Sequence, residues 1–113
     1  MELVVSPYVL AAEMPESRGP DSLDSHVRGL AAELGLWAYH NQRSEGSARG
    51  WVDWVVMGKN GVLFREGKSQ DGELTPDQRL VGARLERSGH NWAVWRPIDW
   101  LNGTIRKQME AIR

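Results

Sequence analysis

The stretch "WVDWVVMGKNGVLFREGK", Trp51 to Lys68, limits the fold more than any other part of this chain. Two apolar runs, Trp51 to Met57 and Gly61 to Phe64 continuing into Glu66, flank Gly58-Lys59-Asn60-Gly61. A Lys-Asn-Gly turn between β-branched and aromatic runs predicts an antiparallel hairpin. With the turn centred near Asn60, the register sets Asp53 in the first strand across from Glu66 at the end of the second. Residues two apart on a strand share a face, so Glu66 and Lys68 project together. Carboxylates opposed across a hairpin repel by roughly a few tenths of a kcal/mol or more, unless a cation sits between them. Mg²⁺ or Mn²⁺ suits that place, being a hard ion held by few carboxylates plus water and phosphate oxygens. Lys68 is then placed to orient or deprotonate an attacking water, or to stabilise charge at phosphorus. The bland alternative is an exposed Glu66–Lys68 pair with a solvated Asp53. Spacing alone leaves both readings standing.

Around the hairpin, the pattern alternates helix and strand. Leu23, Val27, Leu30, Ala31 and Leu34 lie on one face of a helix, capped at its start by Asp21 or Ser22 and closed by Gly35. Leu36 to Tyr39 suits a short strand, and residues 41–50 form a polar loop. Thr75, Pro76 and Gln78 make a capping-box start for a helix running to about Ser88, with Gly89 beyond it. Asn91 to Trp95 gives a fourth strand, stopped by Pro97. Ile98, Leu101, Ile105, Met109 and Ile112 line a last helical face, whose start Asn102-Gly103 can delay. The order α-β-β-β-α-β-α describes a small mixed sheet flanked by helices, an α/β fold. Residues 1–20, broken by Pro7, Pro15, Gly19 and Pro20, read as an N-terminal extension to a domain over 21–113.

A chain of 113 residues fits one domain with its own core. It has no cysteine, which excludes a disulfide framework and thiolate metal sites. The net charge is -1, so any phosphate-binding surface must be local. The longest apolar stretch, Leu3 to Ala12, is interrupted by Ser6 and Pro7 and follows the acidic Glu2, which argues against a membrane span or a secretory signal. A cytoplasmic protein is expected.

The pieces Tyr39-His40, Ser44, Gly50-x-x-Asp53, Leu63-Phe64-x-Glu66-x-Lys68, Gly72-x-Leu74-x-Pro76-x-Gln78, Gly89 and Val94-Trp95-Arg96-Pro97 occur in that order. Each is weak alone. As an ordered set, running from Leu23 to about Ile112, they resemble the VRR-NUC family of the PD-(D/E)xK nuclease superfamily. That resemblance implies a restriction-endonuclease-like core and divalent-metal-dependent cleavage of DNA phosphodiesters. Several small standalone members resemble Holliday-junction resolvases. It further implies Asp53 and Glu66 as metal ligands, with the Gly67 carbonyl directed toward the metal. Lys68 becomes the catalytic lysine and Gln78 an active-site glutamine. The chain departs from the family pattern in three places. Val52 stands where Pro is usual before the Asp, and Gly67 where an apolar residue is usual. The Glu common at the start of the first helix falls at or beside Pro20, where Asp21 is the nearest acid and Glu16 lies further off.

Several residues keep two readings. Gln78 reads equally as the capping partner of Thr75 and as a site residue, and can be both. His40 reads as a hydrogen-bonded structural residue or as a substrate-side group. Arg43, Ser44 and Arg96 read as phosphate contacts or as ordinary polar surface, as do Arg106 and Lys107. The leading expectation is a Mg²⁺-dependent DNA endonuclease, acting as a homodimer that cuts two strands. A non-catalytic DNA-binding module on the same fold, and an interaction protein with no nucleic-acid role, are the competing classes.

Overall fold

The computed structural model describes residues 5–41 and 48–113. Its centre is the expected hairpin. Strands β2 (Trp54–Gly58) and β3 (Gly61–Gly67) pair antiparallel, from Trp54 against Arg65 to Gly58 against Gly61. The first of these strands is shorter than its apolar run suggests. It begins at Trp54, so Asp53 stands one residue ahead of β2 rather than inside it. Strand β1 (Trp37–His40), one residue later than expected, pairs antiparallel with β2, and β4 (Asn91–Trp95) pairs parallel with β3. The sheet order is β1-β2-β3-β4. A parallel neighbour needs a crossover. Helix α3 (Pro76–Arg87) provides it between β3 and β4.

Alternation along the strands decides which face is core. Trp54, Val56, Leu63 and Trp95 are buried on one face. They pack against Leu23, Val27, Leu30, Ala31 and Leu34 of α2 (Leu23–Glu33) and the loop after it, and against Ile105, Met109 and Ile112 of α5 (Thr104–Ile112). Fully burying one such side chain stabilises by roughly 1.5–3 kcal/mol, which explains why α2 and α5 follow the predicted stripes closely. The predicted last helix is two. α4 (Pro97–Leu101) ends at Asn102, and Gly103, at φ 83, turns the chain into α5. That left-handed conformation favours glycine.

Helix α3 lies on the opposite face of the sheet, where Gly82 meets the ring of Trp92. It packs against β4 and leaves the same face open at the other end. There Trp37, Tyr39 and Met57 are exposed. Among the described residues the fold is therefore a three-layer α/β arrangement of five helices and one four-stranded sheet. None of the described helices is long and apolar enough to cross a membrane. Of the N-terminal segment, residues 5–20 include a helix. Helix α1 (Pro7–Glu13) is capped by Ser6, buries Ala11, and packs against α4.

Candidate metal and catalytic site

Glu66 is the penultimate residue of β3 and only 2 % exposed. The Gln78 side chain donates from Nε2 to its Oε1 at 2.8 Å. Its Oε2 is buried and has no hydrogen-bond partner among the described residues. Burial, then a hydrogen bond and repulsion from Asp53, push this carboxyl up to about 9, against the opposing pull of Lys68.

The register brings Asp53 to the same place, as the hairpin predicted. Its backbone carbonyl accepts from Asn41 N at 2.7 Å. Its Oδ2 accepts from Gly67 N at 2.9 Å, which fastens it across the end of β3. Lys68 continues the ladder one residue past β3, its N–H donating to the Trp95 carbonyl at 3.0 Å. Its side chain is half-buried, and its charge acts on both Glu66 and Glu16.

Gln78 caps its helix and also contacts Glu66. Its N–H donates to Thr75 Oγ1 at 3.2 Å and its Oε1 accepts from Thr75 N at 2.9 Å, closing the capping box. The amide nitrogen left over holds Glu66. Gly50 fixes where this helix begins. It has φ +76, and a side chain there would bring a Cβ to 2.8 Å from Gln78 N.

Two further acids come from parts of the chain that the motifs did not single out. Glu16 reaches the cluster because Pro15 and Glu16 carbonyls accept from the Leu23 and Asp24 amides, at 2.9 and 3.0 Å, where α2 starts. Its carboxyl is raised by burial, then by Asp53 and Asp24. Asp24, in the first turn of α2, accepts from Trp54 Nε1 at 3.3 Å on one oxygen. The other faces His40 Nε2 at 3.4 Å. Burial raises Asp24 as well.

Gly67 lies among these groups. A Cβ there would stand 3.4 Å from Asp53 Oδ2, 3.7 Å from Asp24 Oδ1 and 3.9 Å from Glu16 Oε1. A larger side chain would fill the space the carboxylates share, so the departure from the family pattern keeps that space open. Asp21, expected as the third acid, is exposed and outside the cluster. The chain doubles back at Pro15–Asp24, which carries Glu16 inward and leaves Asp21 on the turn.

His40 stacks on Trp54 with ring centroids 4.1 Å apart, and Arg28 Nη2 lies 3.1 Å from its Nδ1. Burial lowers its pKa. In the neutral ring, Nδ1 accepts from Arg28 and Nε2–H points to Asp24. Its structural reading therefore holds, at the rim of a cavity of about 500 Å³ that Glu16, Arg18, Asp24, Arg28 and Asp53 also line. Glu66 and Lys68 do not line that cavity; they approach Asp53 from the other face of the sheet. Arg96 is half-buried and turned in part onto its own chain. Its Nη1 donates to the carbonyls of Ser69, Gln70 and Gly72 and holds the loop after Lys68 in place. Arg43 and Ser44 lie outside the described residues.

Among the described residues, no three His, Asp or Glu side chains stand close enough to enclose a metal ion. Mg²⁺ does not require such a cage, since it keeps several waters and binds through one or two carboxylates. Glu66, Asp53 across the hairpin, and Glu16 and Asp24 within electrostatic reach are all oxygen donors, the ligand type that hard divalent cations take. No family model, curated protein or solved structure matches the chain.

Proposed function

We propose that this chain is a divalent-metal-dependent DNA endonuclease with a restriction-endonuclease-like core. The observation that carries the reading is Glu66. A carboxyl buried beside a second acid, with one oxygen that accepts no hydrogen bond among the described residues, lowers stability and contributes nothing to packing. Such a group is characteristic of a site whose last component is a ligand. A DNA-binding module without catalysis has no need of it.

In this reading Asp53 and Glu66 hold Mg²⁺, or Mn²⁺ in its place, and Glu16 and Asp24 add negative charge around it. The chemistry supplied by the bound ion is Lewis-acid polarisation of the phosphodiester and acidification of water. Gln78 fixes Glu66 through Oε1, and Oε2 would be the oxygen left to hold the ion. Gly67 N–H holds Asp53 Oδ2 in the same way. Lys68 brings its ammonium to the phosphate, where it stabilises developing charge or takes a proton from the attacking water. A domain of this size does not enclose a duplex, so two copies, each cutting one strand of a branched DNA, complete the proposal.

The test is incubation of purified protein with a branched DNA junction, in Mg²⁺ and in EDTA. Strand cuts with Mg²⁺ alone are expected. Intact DNA in both Mg²⁺ and Mn²⁺ would sink the nuclease reading, and light scattering of the active protein at monomer mass would remove the dimer.

A further inference from the structure

We infer that the open end of the sheet, Trp37 and Tyr39 on β1, holds unpaired nucleotides of the substrate by stacking on their bases. The inference rests on the nuclease reading for its choice of occupant. Trp37 is 55 % exposed, Tyr39 49 % and Met57 39 %. Trp37 pairs with Met57 and Tyr39 with Val55, so these side chains share the face that α3 leaves uncovered. Two large aromatics at that exposure on neighbouring same-face positions are costly in water.

The ring geometry suits a base. The two rings are parallel to within 12° and their centroids are 6.3 Å apart. They form an offset-stacked pair that presents one aromatic surface on which a base can stack. Charge points the same way. With a net charge of -1, the chain has no general electrostatic hold on a phosphate backbone. Stacking on a base requires none, and is tolerant of sequence.

The shelf is also continuous with the candidate site. Val55, opposite Tyr39, pairs with Phe64, so Trp37 and Tyr39 share the face toward which Glu66 projects, while His40 and its cavity lie on the other. On that face β1 is two strands from β3, about 10 Å at ~4.8 Å per strand. A strand with its scissile phosphate at Asp53 and Glu66 therefore reaches the shelf within one or two unpaired nucleotides. The substrate class is DNA with an unpaired segment beside the cut.

The test is titration of the full chain with a short thymidine oligonucleotide in EDTA, followed by tryptophan fluorescence. An abasic oligonucleotide of equal length serves as the control. Wild type should bind the thymidine strand and should lose far less than 10³-fold affinity between about 50 and 200 mM salt. Trp37→Ala and Tyr39→Ala should each weaken binding about tenfold, with Trp37→Phe close to wild type. Circular dichroism of these exposed-site variants should be unchanged. Equal binding by wild type and both Ala variants would overturn the inference, as would equal binding of the abasic strand. So would a wild-type dimer that Trp37→Ala converts to monomer with oligonucleotide binding intact, since the face would then belong to a second copy. Because the titration contains no metal, its failure leaves the nuclease reading untouched. That reading depends on Mg²⁺-dependent cleavage of the junction alone.

Discussion

Arg65 and Glu66 are neighbours on β3, both ionisable and both buried, at 1 % and 2 % exposure. They point to opposite faces of the sheet, and their surroundings differ in kind. The Arg65 guanidinium donates to the carbonyls of Phe64 and Asn91, to Asn91 Oδ1 and to Gln108 Oε1, and lies 5.4 Å from the Trp95 ring centre. Burial brings it down to about 10, which still leaves it charged at neutral pH. Gln108 Oε1 also accepts from Trp95 Nε1 at 2.7 Å, so one amide ties β3, β4 and α5 together. Glu66 accepts from one N–H donor among the described residues, and its other polar neighbour is a second acid, Asp53. A fold can bury a charge in either way. The first arrangement is complete and serves stability, whereas the second is complete only when something positive arrives.

The largest expected effect falls on the incomplete side. Asp53→Asn and Glu66→Gln should each reduce single-turnover cleavage in Mg²⁺ by ~10³ or more, since several kcal/mol of transition-state stabilisation depend on the bound ion. Near-wild-type cutting by either variant would break the assignment of these residues.

Stability should respond in the reverse order. Arg65→Ala leaves Asn91 and Gln108 oxygens without donors and opens space beside Trp95, so it should cost about 3–5 kcal/mol in urea denaturation. Glu66→Gln should be neutral or stabilising in metal-free buffer. If both variants lost equal stability, the contrast between the two charges would disappear.

Lys68→Ala should slow cleavage on the order of 10²-fold while binding of uncut DNA in Ca²⁺ barely moves. Lys68→Arg should fail as well, because a guanidinium keeps the charge but places its donors differently and does not act as a base. A surface pair contributes at most about 1 kcal/mol, so unchanged rates in both variants would return Lys68 to that role.

The smallest effect sharpens the comparison through pH. The Glu66 carboxyl sits at about 9 in the fold against 4.5 in ordinary surroundings. Between those values the folded state keeps a proton that the unfolded state has released, so metal-free stability should fall as pH rises through the window. Glu16 and Asp24, also raised, act with the same sign. His40, lowered from 6.5, acts with the opposite sign, but only below that value. Thermal denaturation in EDTA between 6.5 and 9 should therefore show a loss approaching about 1.4 kcal/mol per pH unit. Glu66→Gln should flatten the slope. A flat profile in wild type would mean that Glu66 does not take up a proton on folding.

Much of the site was legible because hairpin register and capping are local. The Lys59-Asn60 turn set Asp53 against Glu66, and Thr75-Pro76-x-Gln78 placed Gln78 at the first turn of its helix. Strand β4 fell on its expected residues for the same reason, bounded by Gly89 and Pro97. Glu16 was read only as the further of two acids near the helix start, behind Asp21. Its position depends on two backbone hydrogen bonds from the start of α2, and these leave no periodic trace. Asp24 and Arg28 were hidden differently. They lie off the apolar stripe of α2 and look like solvated helix surface until β1 and β2 bring His40 and Trp54 against them. The loop-holding role of Arg96 was not legible, because its acceptors are backbone carbonyls of Ser69, Gln70 and Gly72, more than 20 residues earlier in the chain.

The divided amide of Gln78 links two clocks. Its oxygen belongs to the first turn of α3 and its nitrogen to an acid 12 residues earlier. Helix ends open and close continually, and each opening here also releases Glu66. A cation that draws Glu66 into its ionised form strengthens the Nε2–H···O bond and slows that opening. Hydrogen exchange at the Thr75 and Gln78 amides would then register occupancy of the site from within the helix, before any strand of DNA is present.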